Sequence, residues 1–445
     1  MRLLIVFCLV LIVGSAYGQV STFTSNVATG NWDAPGSWTE VGSDVDNIPD
    51  ADDNVIILSG HNISLNGAQA ANSVTVNSGG TLTATLGSLT AGSMSVNGTG
   101  TYVHDIDGGI IPTATWSSTS NLIVTGVTGT APSGYNGQTF GNFTWNSAGQ
   151  NTNIYLAASF IVDGNFEVLD TGLPVNPGSR ALRMSPDATP QAITVSGNFL
   201  VNNSTFKMNN NTGSCTVNIP TGNLEILNGA NFTISTGNAT STVNVSGNVT
   251  VSTGSTLLMH EDNNPAVSGN LNIGGNLDFT GGTIDEADTG TGNITFNGGT
   301  TQTVTSGGGS ITNTINIIVN SGTLLQMATP GTIIGGDGSF SLAGGAALGV
   351  TSPDGITTSG ATGNIQVTGA RLYNTTADYI YNGSSDQDVG DGLPGTVNNL
   401  TINNSGGGGN NTVSLDSDII ISGTLNVTQG EFDLNGNNVT SVGSV

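Results

Sequence analysis

Gly222–Ser235 reads GNLEILNGANFTIS. Leu224 and Ile226, then Phe232 and Ile234, fall on every second residue either side of Asn228-Gly229. Apolar residues at period two mark a strand with one buried face, and Asn-Gly supplies the turn because both residues tolerate positive φ. GNVTVSTGSTLLM from Gly247 and GNLNIGGNLDFTG from Gly269 repeat the pattern. Beyond Gly18 no stretch has the periodicity of a helix.

The leading tripeptide, Gly-Asn-apolar, occurs at Gly141, Gly164, Gly197, Gly222, Gly247, Gly269 and Gly292, and again at Gly363. The steps are nearly even except for a longer one between Gly164 and Gly197. A period of this length means one winding unit stacked on the next. The expected fold is all-β, a right-handed parallel β-helix of about 15 coils spaced ~4.8 Å apart. Val, Ile, Leu and Phe should face inward, with Thr, Ser and Asn outward. A chain with 67 Gly and 8% charged residues could be disordered, but the regular alternation and 36% hydrophobic content argue against it.

A larger module rides on the short period. YNGQTFGNFTWNSAG from Tyr135 matches YNGSSDQDVGDGLPGTVNNLTINNSGG from Tyr381, and LAASFIVDGNFEVLDTG from Leu156 matches LDSDIIISGTLNVTQG from Leu415. A weaker third copy starts at Phe296 (FNGGTTQTV) and continues at Ile315 (INIIVNSG). Repetition suits a spacer or display surface, whereas an enzyme needs one unique site.

Residues 1–18 read as a secretory signal peptide: Arg2, the apolar run Leu3–Val13, then Ala16 and Gly18 as the small residues before cleavage. That run is too short to span a bilayer, and nothing later resembles a membrane helix. A secreted or cell-surface location is expected. Without Arg2 the chain has 4 basic against 30 acidic groups, a net charge of −26. This argues against nucleic acid and anionic headgroups as partners and admits divalent cations. Cys8 lies in the leader and Cys215 stands alone, so no internal disulfide is possible. Cys215 shares parity with Val217 and Ile219 and should point inward.

Residues 19–83 are expected to form an N-terminal cap, with Trp32 and Trp38 as lids over the open first coil, and 84–445 the β-helix. GEFDLNGNNVTSVGSV, from Gly430 to Val445, stops inside what reads as another coil, so further C-terminal domains are expected.

GNWDAPGSW from Gly30 and PDADDNVIILSGHNISL from Pro49 resemble the start of large secreted repeat-containing surface proteins of the Bacteroidota, and are similar to the G8-type domain. GAALGVTSPDGITTSGATGNIQVTG from Gly345, with the module that follows it, resembles the repeat of the same proteins. The resemblance implies export by the type nine secretion route, a C-terminal sorting domain and no catalytic residues.

Two functional classes remain. The first is a non-catalytic surface solenoid: adhesin, stalk or matrix component, with extracellular polysaccharide or other cell-surface components as partners. The second is a carbohydrate-binding or carbohydrate-active β-helix of the polysaccharide lyase or glycoside hydrolase kind. Lyase chemistry needs a base and cations for the substrate carboxylate, and only Arg180, Arg183, Lys207 and Arg371 are on offer. The two arginines are expected to pair with nearby acids in the Pro174–Pro190 insertion. Hydrolysis needs two carboxylates, one kept protonated. Candidate groups are Asp105/Asp107, Asp285/Glu286/Asp288, Asp386/Asp388/Asp391 and Asp416/Asp418. His61, His104 and His260 share no ligand spacing and are expected to be solvated or capping. No cofactor is expected, except that Asp44, Asp46, Asp50, Asp52 and Asp53 crowd one loop in a way that suits calcium. Trp32 and Trp38 could alternatively stack on a sugar.

Overall fold

The computed structural model describes residues 20–172, 180–210, 212–262, 264–287 and 289–441. The leader with Cys8, the segment 173–179 of the insertion, and Asp288 lie outside them.

Within the described residues the chain is all strand and turn apart from one short 3-10 turn, Pro35–Ser37. One parallel ladder runs the length of the molecule. It begins Thr29–Asn31, Asn62–Leu65, Thr81–Ala84, Thr101–His104, passes through Phe166–Asp170 and Leu224–Leu227, and ends at Leu400–Asn403 and Leu425–Gln429. It has seventeen strands, each bonded to its counterpart one coil on. The expected parallel β-helix is therefore present. Its turns number about as many as expected, and the first coils are short. Asn62, Thr81, Thr101, Asn121 and Asn142 stand in register one above another at steps of 19, 20, 20 and 21 residues, whereas the step from Phe199 to Leu224 takes 25.

A second ladder runs from Thr139–Phe140 through Cys215–Ile219 to Arg371–Leu372, and a third from Ile154–Tyr155 through Asn231–Ser235 to Ser310–Ile311. Beyond residue 330 loops replace the third face, until two short ladders end the rod at Glu431–Asp433 and Val439–Ser441. Inward positions stack on their own kind. Phe143, Phe166 and Phe199 are in register, with ring centroids 4.9 and 4.7 Å apart, the spacing of the coils themselves.

The N-terminal end is closed by the one antiparallel pair among the described strands, Thr22–Ser25 with Trp38–Val41. Thr22–Ser25 also pairs in parallel with Asn54–Ile57, so coiling is under way well before residue 83 and the cap is shorter than expected. Trp32 and Trp38 meet edge to face at 5.5 Å, and their indole N–H groups donate to the carbonyls of Pro49 and Trp32. Both rings are buried, so they act as lids and offer no face to a sugar.

The Gly-Asn motif has a specific cause. In the long ladder each Asn carboxamide oxygen accepts the backbone N–H of the next motif Asn: Asn142 from Asn165 (3.0 Å), Asn165 from Asn198 (2.9 Å), Asn198 from Asn223 (3.0 Å), Asn223 from Asn248 (2.8 Å) and Asn248 from Asn276 (2.8 Å). The preceding glycine is dictated by close approach: a Cβ on Gly222 would lie 1.9 Å from the carbonyl oxygen of Gly197. Two copies fall elsewhere. Asn270 and Asn293 belong to the second ladder, where amide donates to amide at 2.9 Å. Asn364 is a buried plug: its oxygen accepts from the N–H groups of Thr351 and Ser352, and its nitrogen donates to the Thr332 carbonyl. One sequence motif thus serves three structural positions.

Candidate functional site

The larger module recurs in space as well as in sequence. Tyr135, Phe296 and Tyr381 are all buried. Gln302 accepts from Gly298 N–H and donates to the carbonyls of Ile273 and Gly275. Gln387 accepts from Gly383 N–H and donates to those of Val350 and Ser352. Gln138 braces its coil in a related way, accepting from Ala114 N–H and Trp116 Nε1 and donating to Pro112 and Gly134. The matched strands Asn142–Asn146 and Leu400–Asn403 both slip register at their ends, between Trp145 and Asn146 and between Ile402 and Asn403. What repeats is a set of backbone braces. The buried glutamines went unremarked in the sequence, although each lies inside a quoted module.

The basic residues are consumed internally. Arg183 donates to the Asn209 carbonyl and the Asn210 side chain, so it does not pair with an acid as expected. Lys207 Nζ reaches across a coil to both carboxylate oxygens of Glu261, at 2.5 and 2.6 Å. Burial lowers Lys207 below the usual lysine range against the pull of Glu261. Arg371 donates to the carbonyls of Val367, Thr357 and Gly360 and to the Thr357 hydroxyl. Arg180 is not free either.

Most candidate acids also end on backbone. Asp107 Oδ1 accepts three N–H groups, from Thr128, Gly129 and Thr130, at 2.8 to 2.9 Å. Burial pushes this carboxyl up, but those three donors outweigh it and hold the group well below the usual carboxylate range. Asp105 takes the Thr125 hydroxyl, Asp391 the Thr358 N–H and hydroxyl, Asp416 the Gly390 N–H and Asp418 the Asn438 N–H. Asp285 accepts from Thr312 and Asn313, while its neighbour Glu286 is fully buried on the opposite parity. Asp386 and Asp388 line one shallow groove of about 370 Å³ with Asp354, Gln387, Thr412 and Ser414. Burial, then the charges of Asp416 and Asp354, raise Asp388.

Of the five loop aspartates, Asp44, Asp50 and Asp53 have carboxylate oxygens within 4.8 Å of one another, close enough for a hard cation such as calcium. Asp46 and Asp52 stand outside that group. Burial, opposed by the N–H groups of Asp50 and Ser21, raises Asp53; a hydrogen bond with Asp52 is the main push on Asp50. Asp53 also has a structural task, since it ties Ser21 N–H and Asp50 N–H at 2.8 and 3.0 Å.

His104 and His260 are fully buried, contrary to the solvated or capping role expected of them; His61 sits half-buried with Nδ1 2.8 Å from the Ser25 hydroxyl. Cys215 is buried and free as expected, its thiol pushed up to about 11 by burial. Among the described residues no aromatic ring is exposed: Tyr155, Tyr373 and Phe432 are half-buried, and all other described Trp, Tyr and Phe rings are buried. Among the described residues no helix is long and apolar enough to cross a membrane. No family, curated protein or solved structure matches the chain.

Proposed function

We propose that this chain is a secreted or cell-surface structural solenoid, the shaft of an adhesin, a stalk or a matrix component, with no catalysis of its own. One observation carries the reading: among the described residues every Lys and Arg is engaged internally and no aromatic ring is exposed. Sugar recognition relies on stacking rings, and cleavage of acidic polysaccharide on cations that neutralise the substrate. Among the described residues neither resource stands on the exterior, which presents Thr, Asn and Ser with a large excess of carboxylates. Export rests on the leader-like residues 1–18 and on the resemblance to Bacteroidota surface proteins, which also suggests the type nine route. Partners would be extracellular polysaccharide or other surface components, met through carboxylates and amides, and not nucleic acid. Purified protein incubated with a panel of neutral and acidic polysaccharides should release no reducing ends and no unsaturated products. Turnover on any of them would overturn the reading.

A carbohydrate-active alternative is favoured by one observation, the groove of Asp354, Asp386 and Asp388, where Asp388 is pushed toward its protonated form. If that groove hydrolyses a glycan, Asp388→Asn abolishes the turnover while leaving the melting temperature within about 2 °C.

A further inference from the structure

The second ladder differs from the other two in charge. Thr194, Asn218, Asn244, Asn272, Thr295 and Ile318 stand in register on its outer side, in a column that begins at Thr139 and ends at Leu372. The neighbouring column holds Thr216, Thr242, Asn270, Asn293 and Asn316. All of these side chains are half-buried or exposed, and neither column contains an Asp, Glu, Lys or Arg. Arg371, the one charged residue in the ladder, shares the inward parity of Phe340 and donates to loop carbonyls. Asp163, just past Phe160–Val162, stands at the rim. In the long ladder, by contrast, an outer column reads Thr144, Glu167, Leu200, Glu225, Thr250, Asp278, with a carboxylate on every second coil. The outer column of the third ladder carries Arg183, Lys207 and Asp285.

The neutral face is also paved in a fixed pattern. Asn244 donates to Asn218 at 2.8 Å and Asn272 to Asn244 at 2.7 Å. Beside them Asn293 donates to Asn270 at 2.9 Å and Asn316 to Asn293 at 3.1 Å. A carboxamide has two N–H hydrogens and two acceptor sites. Asn244 and Asn293 each use one of both kinds along the ladder, which leaves one of each for a partner. Their side chains are already held in place, so little rotamer freedom is lost when a partner meets them.

We propose that this face docks a second copy of the chain, two rods lying side by side. Charge selects that occupant. Each copy carries a net −26 without the leader. Pairing through the long ladder would set carboxylates against carboxylates, whereas the second ladder brings none together. A two-fold axis between Asn244 and Asn272, midway along the column, turns one rod antiparallel to the other, so that the face meets itself and amides meet amides. Ile161 and Leu372, exposed toward the two ends of the column, are covered by the same step. The area suffices. Ten strands make nine steps of about 4.8 Å, and five-residue strands are about 16 Å long, which gives roughly 700 Å² per copy against the 800 Å² or so of a standard interface. The pairing goes beyond the structural role proposed above and holds whether or not the rod also cleaves a glycan.

Sedimentation equilibrium of the full chain from about 1 μM to about 200 μM should show monomer passing into dimer. Because two acidic rods must approach, the dimer should tighten as sodium chloride rises from about 20 mM to about 300 mM. Thr295→Glu places a charge near the middle of the face and should raise the dissociation constant about tenfold or more. Thr303→Glu adds the same charge to the outer side of the long ladder, beside Gln326, and should change it by less than about twofold. Should Thr295→Glu fail to fold, Ile161→Glu, at an exposed position of the same column, takes its place with the same expectation. A monomer at every concentration, a dimer that loosens with salt, or equal behaviour of the Thr295→Glu and Thr303→Glu variants overturns the pairing. So does a monomer that binds a neutral polysaccharide and loses it on Thr295→Glu, since the face would then belong to a glycan.

Discussion

Gln302 is fully buried, accepts one N–H and donates to two carbonyls from the preceding coil, so its removal strands three backbone groups at once. Gln302→Ala should cost about 2–4 kcal/mol, whereas Thr301→Ala, on the exposed side of the same strand, should stay within about 0.5 kcal/mol; urea denaturation of the pair measures both. His104 makes a separate prediction. Burial pushes its imidazole below the ordinary value, against the help of its Nε2 bond to the Gly108 carbonyl. The unfolded chain then binds the proton more readily. This contribution to stability is complete above about pH 6.5 and is lost as the pH falls below it. His104→Gln should show a smaller drop in melting temperature between about pH 7 and about pH 5 than wild type. An equal drop would assign the acid sensitivity to other groups.

At the scale of the strand and its turn, two glycines a few residues apart separate steric demand from backbone demand. Gly222 has no room for a Cβ, and what it would strike is backbone from the coil below. Gly229 has open space but sits at φ +81°. Gly229→Ala should cost about 1 kcal/mol, the price of a left-handed alanine, while Gly222→Ala should cost clearly more because two coils must part. Similar losses at both sites would contradict the asparagine ladder. The strands themselves were legible in the sequence, since Leu224, Ile226, Phe232 and Ile234 alternate without exception. The two roles of Gly247-Asn248 and Gly269-Asn270 were not. The dipeptide is identical, and only the longer advance to Gly275-Asn276 keeps the long ladder in register. His260 and Glu286 were hidden for a related reason. They look remote along the chain, but the interval between them is close to one coil, and coil-length intervals bring side chains into contact. Lys207 and Glu261, two coils removed, are bonded. Screening polar residues against multiples of the coil length would have found both pairs. The buried Gln302 and Gln387 carry no such signal beyond their place in the module.

Across the whole molecule the charge imbalance is the largest electrostatic fact, 30 acids against 4 bases after the leader. With every described base already committed, the carboxylates repel one another along the rod and only solution ions screen them. The melting temperature should rise between about 10 mM and about 300 mM sodium chloride, and a fall would mean that attractive pairs dominate. The shape is the other global consequence. Seventeen stacked strands in the long ladder make sixteen steps of about 4.8 Å, a rod of roughly 77 Å. Among the described residues, the closed Trp32–Trp38 end and the absence of exposed rings or uncommitted cations both follow from winding every large side chain into that single interior. Small-angle X-ray scattering of the purified chain tests this most directly. The solenoid predicts an asymmetric distance distribution with a cross-section peak well short of a maximum near its rod length. A symmetric, bell-shaped distribution, or one with two separated lobes, would contradict it.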